Sequence, residues 1–395
     1  MRDGARPRVL VVTGAYYPEI SAAAVQCRAV AAAIGDRAQL SVLTTAVDPS
    51  LPANDEVDGR AVARVPVDVR SGASKALASV RLARHVLRAS GTYDMIHVHG
   101  FSQKNVPVSI LARLLGKPIV LTLHTAGQDE FDVVRRRSRL AAWAFTSADQ
   151  TTAVSPGLVE RWRAAGLPAN RISLVPNGID TRRFRPANPE ERARLRREMG
   201  WPEHDAVAMF VGFFSRDKRP DLLVRAWRRL GAAGIDFRIA FVGAKSGGYY
   251  EIDASLSARI AADAAASGRS DRIMFVDASH DVDRYFRAAD LFVLPSIREA
   301  HPLALLEAMA SGLPCVSTRL PGATDVLVED GVNGRLFAPD DEAGLAEAIG
   351  GLLREPEKSR AMGARARATV VERYDVDRTA AAWLEIYGRA MGGRR

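Results

Sequence analysis

LFVLPSIREAHPLALLEAMASGLPCVS, residues 291–317, contains the fold in miniature. Leu291–Pro295 is an apolar run of the length of a buried strand. A loop holding Glu299 comes next, and then Pro302–Ala310, built from Ala, Leu, Glu and Met, residues that favour helix. Pro302 suits a first helical position and Gly312 a C-terminal stop. Pro314–Ser317 is a second β-rich run. A helix between two neighbouring strands is a crossover, which makes the strands parallel and lays the helix on their sheet.

The same alternation extends outward in both directions. Upstream in the second half, strands are expected at 206–212, Phe237–Val242 and Ile273–Val276, and downstream at Arg335–Phe337. Helices intervene at Arg219–Leu230, Leu256–Ala266, Asp281–Ala289 and Ala343–Leu353. The first half repeats the pattern, with strands at Val9–Thr13, Gln39–Leu43, Met95–Val98, Ile119–Leu123, Gln150–Val154 and Ile172–Val175. Helices there include Ala22–Ile34 and Leu77–Ser90. Two such series predict two doubly wound α/β domains, 1–185 and 186–374, with the terminal helix 375–395 packing back on the first. The seam falls in PNGIDTRRFRPANP, residues 176–189, rich in Pro, Gly and Asn. Two Rossmann-like domains are expected to face each other across a cleft, with ligands outside the carboxyl ends of the strands.

Composition excludes several classes. With 47% hydrophobic and 26% charged residues the chain has the balance of a soluble globular protein. No apolar run approaches the roughly eighteen residues that span a bilayer. MRDGARPR leads directly into the first strand without the pattern of a signal peptide, and a cytoplasmic protein is expected. Cys27 and Cys315 are far apart and suggest neither a disulfide framework nor a thiolate metal site. The net charge of +9 is unevenly placed: residues 1–185 carry 25 Lys and Arg against 15 Asp and Glu, and the remainder 30 against 31. Arg135, Arg136, Arg137 and Arg139 form the densest cluster, and Arg81, Arg84 and Arg88 recur at near-helical spacing. A basic half points to an anionic partner, such as a phosphorylated acceptor, the inner face of a membrane or nucleic acid. An arginine-rich solvated surface gives the same composition.

Unusual residues gather after strands. Glu299 precedes a helix start whose amides near Ala300, His301 and Leu303 make a positive end suited to phosphate. A carboxylate there is available to a sugar's hydroxyls, and Glu307, in the second helical turn, could reach a ribose. The pair also reads as a helix cap and a solvated charge. In FVGFFSRDKRPDLLVRAW, residues 210–227, Gly212 ends a strand, and Arg216, Lys218 and Arg219 form a basic turn able to clamp a diphosphate, or simply a solvated one. His97 and His99 share one side of their strand, and His124 ends the next. Zinc is not favoured, because no open site with clear ligand spacing is apparent. His97 reads as structural, and His124, at a carboxyl strand end, as the candidate for chemistry. Gly14, Ser21 and Ala22 lie in the first strand's exit, where small residues let a ligand approach the backbone. Ser21 suits a helix cap. That exit has no GxGxxG and no acidic residue placed for a nicotinamide ribose, which weighs against a dehydrogenase.

Taken together the pieces resemble retaining glycosyltransferase family 4, of the GT-B fold. The resemblance runs from the first strand to the last helix. It rests on YYPEIS (16–21), YDMIHVHG (93–100), VLTLHTAG (120–127), TAVSPGLVERW (152–162) and LVPNGIDTRRFRP (174–186) in the first half. In the second half it rests on FVGFFSRDK (210–218), ADLFVLPS (289–296), REAHPLALLEAMASGLPCVS (298–317) and PGATDVLVEDGVNGRLF (321–337). Glu299 and Glu307 match the family's EX7E spacing. The resemblance implies transfer from a nucleotide-diphosphate sugar with retained anomeric configuration and no cofactor or metal. Glu299 would contact the donor sugar's hydroxyls and Glu307 the nucleotide ribose. The stretch Ala300, His301, Pro302 and Leu303 would hold sugar and phosphate through its amides, Lys218 would neutralise the departing diphosphate, and His124 would position the sugar. That diphosphate would accept the acceptor's proton, so no separate protein base is needed.

Three positions depart from the family pattern. Phe213 stands where an arginine usually follows the strand-exit glycine, and Arg216 is the nearest substitute. Ser21-Ala22 replaces a Gly-Gly pair, and Ala300 replaces a glycine. A non-hydrolysing nucleotide-sugar epimerase, which shares a related two-domain fold, is the alternative. A basic nucleic-acid-binding protein is a further one, disfavoured because no aromatic-interleaved basic stripe is present.

Overall fold

The computed structural model describes residues 6–244 and 252–392. Met1–Ala5 and the last three residues of the expected terminal helix therefore lie outside the described residues. The chain divides into two compact units, Met1–Gly178 with Val376–Arg395, and Ile179–Asp375. The division falls inside the expected seam, seven residues before the expected boundary at 185. Ile179 and Phe184 are buried in the second unit's core, which draws the intervening residues into it.

In the first unit the order is β1 (Arg8–Thr13), α1 (Ala22–Ile34), β2 (Gln39–Ala46), β3 (Asn54–Val57), β4 (Arg60–Pro66) and α2 (Gly72–Arg88). There follow β5 (Met95–His99), α3 (Val106–Leu114), β6 (Ile119–Leu123), α4 (Phe131–Arg137), α5 (Arg139–Thr146), β7 (Gln150–Ala153), α6 (Pro156–Ala164) and β8 (Ile172–Leu174). The sheet runs β3-β4-β2-β1-β5-β6-β7-β8, with β3 alone antiparallel. The β3–β4 hairpin was not expected from the sequence. Its exposed Asn, Asp and Glu hide the strand, yet Asp58 and Gly59, both at positive φ, are the dipeptide that tight hairpins favour.

The second unit contains α7 (Pro189–Glu198), β9 (Val207–Val211), α8 (Pro220–Ala232), β10 (Arg238–Val242), α9 (Ala254–Ala266), β11 (Ile273–Val276) and α10 (Val282–Ala288). It continues with β12 (Leu291–Leu294), α11 (Leu303–Ala310), β13 (Cys315–Thr318), β14 (Arg335–Phe337), α12 (Glu342–Arg354) and α13 (Pro356–Arg373). The terminal helix α14 (Val376–Gly392) belongs to the first unit. The parallel sheet is ordered β11-β10-β9-β12-β13-β14.

Alternate residues of these strands fill two separate cores. Val207, Met209, Ala240, Val242 and Phe292 face Phe286 of α10 and Leu306 of α11, whereas Ala208, Phe210, Ile239, Phe241 and Val293 face Trp227 of α8 and Ile349 of α12. Burial on both faces explains why these strands read as continuous apolar runs. In the first unit, Val9 and Val11 pack with Val30 of α1 and with Trp383 and Tyr387 of α14. Among the described residues no helix is long and apolar enough to cross a membrane.

Each sheet has one place where strand order reverses: between β1 and β5 in the first unit, and between β9 and β12 in the second. Loops leaving the two strands there diverge and open a crevice at the carboxyl edge. Most of the candidate site residues lie just past the carboxyl ends of β1, β6, β9 and β12.

Candidate active site

In the second unit the loops after β9 and β12 are laced together. Ile297 N–H donates to the Asp217 carbonyl at 2.8 Å, the Arg298 guanidinium donates to the Asp217 carboxylate at 3.0 Å, and Lys218 Nζ donates to Glu299 Oε1 at 2.7 Å. The Glu299 side chain is 9% exposed and that of Lys218 29%, so the pair is shielded yet open to a ligand. Gly212 lies beneath it, where a Cβ would come within 3.9 Å of the Lys218 stem. Gly243 allows the neighbouring turn to approach, since a Cβ there would lie 1.9 Å from the Gly212 carbonyl oxygen.

Just past Glu299, α11 begins with Pro302 as its N-cap rather than its first residue. No side chain caps this end, which leaves amide donors at the positive helix terminus without a local acceptor. Glu299 is thus ion-paired and not a cap. Glu307 is buried and not a solvated charge. Burial pushes its carboxyl up to about 7, against the pull of Arg183. Burial also holds His301 neutral, down to about 3, with its ring edge-on to Tyr374 at 5.3 Å. Ala300, Pro302 and Leu303 are buried along the same turn. Arg216 turns outward instead: its side chain is 89% exposed and pairs with Asp253 at 3.6 Å, so the structure does not bring it to the Lys218–Glu299 pair.

The first unit's crevice is built differently. Ser21 caps α1, accepting from Ala24 N–H at 3.2 Å, while Gly14 and Ala22 remain exposed. Thr45 Oγ1 donates to the Gly14 carbonyl at 2.6 Å and accepts from Lys104 Nζ at 3.0 Å. Burial, with Lys75 nearby, lowers the Lys104 ammonium below the ordinary lysine range. His97 lies under α14: Nδ1 is 2.9 Å from the Tyr387 hydroxyl and Nε2 is 2.7 Å from Thr122 Oγ1. His99 Nδ1 lies 2.9 Å from His124 Nε2. Burial pushes His97 down to about 3, His99 well below the histidine range and His124 to about 4. All three rings are therefore neutral near pH 7. Among the described residues no group of three or more His, Cys, Asp or Glu side chains is gathered as a metal site would require.

This arrangement has known counterparts. The model of the glycosyl transferases group 1 matches residues 191–369, and that of Glycosyltransferase Family 4 matches residues 23–183. A D-inositol 3-phosphate glycosyltransferase from Salinispora tropica is 32% identical over 342 residues, covering 80% of this chain and 67% of that protein. The chain belongs to glycosyltransferase family 4. Another relative, the N-acetyl-alpha-D-glucosaminyl L-malate synthase of Bacillus anthracis, is 27% identical over 74% of each chain. Among solved structures, Anabaena HepE in complex with UDP and glucose superposes with a TM-score of 0.78 at 20% identity, covering 97% of this chain and all of that one. The fold is accordingly GT-B.

Placed in this glycosyltransferase, the sequence-derived residues fall into two groups. Gly212, Lys218, Glu299, Ala300, His301, Pro302, Leu303 and Glu307 lie past the carboxyl ends of β9 and β12 in the second unit, and Gly14, Ser21, Ala22 and His124 past those of β1 and β6 in the first. Sequence reading passed over Asp217, Lys104 and Asp129. Asp129 is buried and accepts three backbone N–H groups, from Phe101 at 2.7 Å, His124 at 2.8 Å and Thr125 at 2.9 Å. It ties the loop after β5 to the loop after β6. The only trace in the sequence was an acidic pair following TAGQ, which resembles a solvated turn.

Proposed function

We propose that this glycosyltransferase moves a hexosyl or related sugar from a nucleotide-diphosphate donor to a small anionic hydroxyl compound, with retention and without a metal. The observation that carries the reading is the Lys218–Glu299 pair beside the uncapped start of α11. As the bond from the anomeric carbon to the diphosphate breaks, negative charge grows on the leaving oxygen. The Lys218 ammonium and the α11 amides are the positive groups available to stabilise it in a shielded site. Glu299 then accepts hydrogen bonds from the sugar's hydroxyls, and Glu307 from the ribose. The acceptor oxygen attacks on the face the diphosphate leaves, passes its proton to the departing phosphate oxygen and so keeps the anomeric configuration. HepE, of like fold, holds UDP and glucose, which supports a nucleotide donor.

The acceptor side is supported by charge. Lys104 and Lys75 are neighbours near the first unit's crevice, and residues 1–185 carry a net of +10. The names of both relatives contain an anionic polyol or hydroxy acid, inositol phosphate and malate. The exposed arginines of α4 and α5 would serve the same partner, dissolved or at a membrane surface. The test is incubation in excess EDTA with a panel of nucleotide sugars and phosphorylated or carboxylated polyols, with the anomeric configuration of the product read by NMR. An α-linked product from an α-linked donor is expected. Inverted product, loss of activity restored by manganese or magnesium, or isomerisation of the donor alone would each overturn the corresponding part.

A further inference from the structure

His99 is buried and has two ring nitrogens with unequal surroundings. Nδ1 faces His124 Nε2 at 2.9 Å, while Nε2 has no hydrogen-bond partner. The two rings stack at 5.1 Å with an interplanar angle of 28°, and Trp383 of α14 lies 4.8 Å from the His99 ring. Neither imidazole can rotate freely in such packing. The backbone beneath is fixed as well, because Asp129 accepts from the amides of Phe101, His124 and Thr125. His124 keeps partial solvent access with its Nε2 turned inward, so its Nδ1 is the nitrogen left for a ligand.

We propose that His99 is a positioning residue for sugar transfer: it donates Nδ1–H to His124 Nε2 and thereby makes His124 meet the substrate with an Nδ1–H donor. The inference deepens the transferase reading and rests on it for the identity of the substrate. Two neutral rings share one proton along the Nδ1···Nε2 line. If His124 supplied it, His99 would carry a buried N–H with no acceptor, and a buried orphan N–H is the rarer defect in folded proteins. If His99 supplies it, the buried Nε2 holds only a lone pair. His124 is then protonated on Nδ1 and can donate to a sugar hydroxyl or phosphate oxygen, but cannot act there as a base. This agrees with a reaction in which the departing diphosphate takes the proton.

The test has two readouts. In the full-length protein with 15N-labelled histidine, NMR at pH 7 should show His124 with a pyrrole-type Nδ1 and a pyridine-type Nε2, assigned by its absence in His124→Gln. A pyridine-type Nδ1 on His124 overturns the proposal whether or not the protein transfers sugar. Absence of any transfer by the wild type, with the tautomer as expected, would instead overturn the functional reading. Kinetically, His99→Leu should lower kcat by about tenfold or more with KM for the donor little changed, a loss of orientation and not of binding. His99→Asn, whose amide places an N–H near the former Nδ1, should recover most of that loss. Equal losses in His99→Leu and His99→Asn, with both variants melting near the wild-type temperature, would overturn the positioning role.

Discussion

The two crevices occupy the same topological place in their sheets, yet their chemistry is opposite. The β9/β12 crevice holds a charged pair, Lys218 with Glu299, and a bare helix start. The β1/β5 crevice holds neutral histidines, capped α1 and threonine hydroxyls, with Lys104 hydrogen-bonded to a threonine. A departing diphosphate calls for fixed positive charge, which works best where water is excluded. A sugar's hydroxyls call for directional hydrogen bonds, which neutral groups can supply, while Lys104 and Lys75 are the charges near an anionic acceptor. One fold unit, used twice, thus differs at the carboxyl ends of its strands and in the loops that leave them.

The strongest way to break this contrast is Glu299→Ala. Removing the carboxylate takes away a hydrogen-bond acceptor for the sugar and leaves Lys218 without its partner. A loss of about 3 kcal/mol in transition-state stabilisation, roughly a hundredfold in rate, is expected with circular dichroism unchanged. His124→Ala should cost less, about tenfold, because a neutral donor contributes less than a charged site. Near wild-type turnover in Glu299→Ala would remove the charged crevice from the mechanism.

Glu307 sharpens the comparison, since it is a carboxyl in the charged crevice that burial keeps partly neutral. Its pKa of about 7 in the folded chain lies above the unfolded value near 4.5. The folded state therefore binds this proton more tightly, so its contribution is fully present below pH 4.5 and lost as pH rises through 7. Glu307→Gln removes that dependence. Its stability relative to wild type should rise by about 2–3 kcal/mol between pH 4.5 and 8, measured by urea denaturation at each pH. A constant difference across that range would show that the carboxyl is ionised throughout.

On the neutral side, Asp129→Asn tests what holds the histidine loops. The carboxylate accepts through both oxygens, whereas an amide turns an NH2 toward at least one backbone N–H. A destabilisation of about 2 kcal/mol is expected in thermal or denaturant unfolding. The same variant should leave donor affinity in the other unit unchanged, measured by calorimetry with nucleotide sugar. A fall in both would mean that Asp129 acts beyond its own unit.

These sites were not equally legible. Leu291–Leu294, Cys315–Thr318 and their partners announce themselves because strands buried on both faces must be apolar throughout. Lys218 and Glu299 drew attention because charge stands out just after such strands, and Glu307 by its spacing from Glu299. The β3 strand was missed because its outer residues are exposed and polar, and Asp129 because a buried carboxylate satisfied by backbone amides looks, in sequence, like any acid in a turn. His99 was seen only as the strand companion of His97. Its contact with His124 joins side chains from adjacent strands, 25 residues apart in the chain, which no spacing rule reveals.

The smallest effect concerns the first unit's outer surface, where charge returns in solvated form. Arg135, Arg136, Arg137 and Arg139 are exposed on α4 and α5, and only Arg135 has an ion pair among the described residues, with Asp132 at 3.6 Å. Leu140 and Trp143 stand exposed on α5 near the same arginines. Each basic side chain near an anionic bilayer contributes about 1 kcal/mol, screened by salt. Replacing the four arginines by glutamine should weaken sedimentation with phosphatidylserine vesicles at low salt and much less at about 0.5 M salt, where the Debye length has shrunk to a few ångströms. Hydrolysis of the donor should not change, because Lys218, Glu299 and the α11 amides are untouched. If the wild type ignores such vesicles at low ionic strength, the basic face serves a dissolved acceptor or solvation alone. The contrast between a charged crevice and a histidine crevice would then stand without any role for the surface around them.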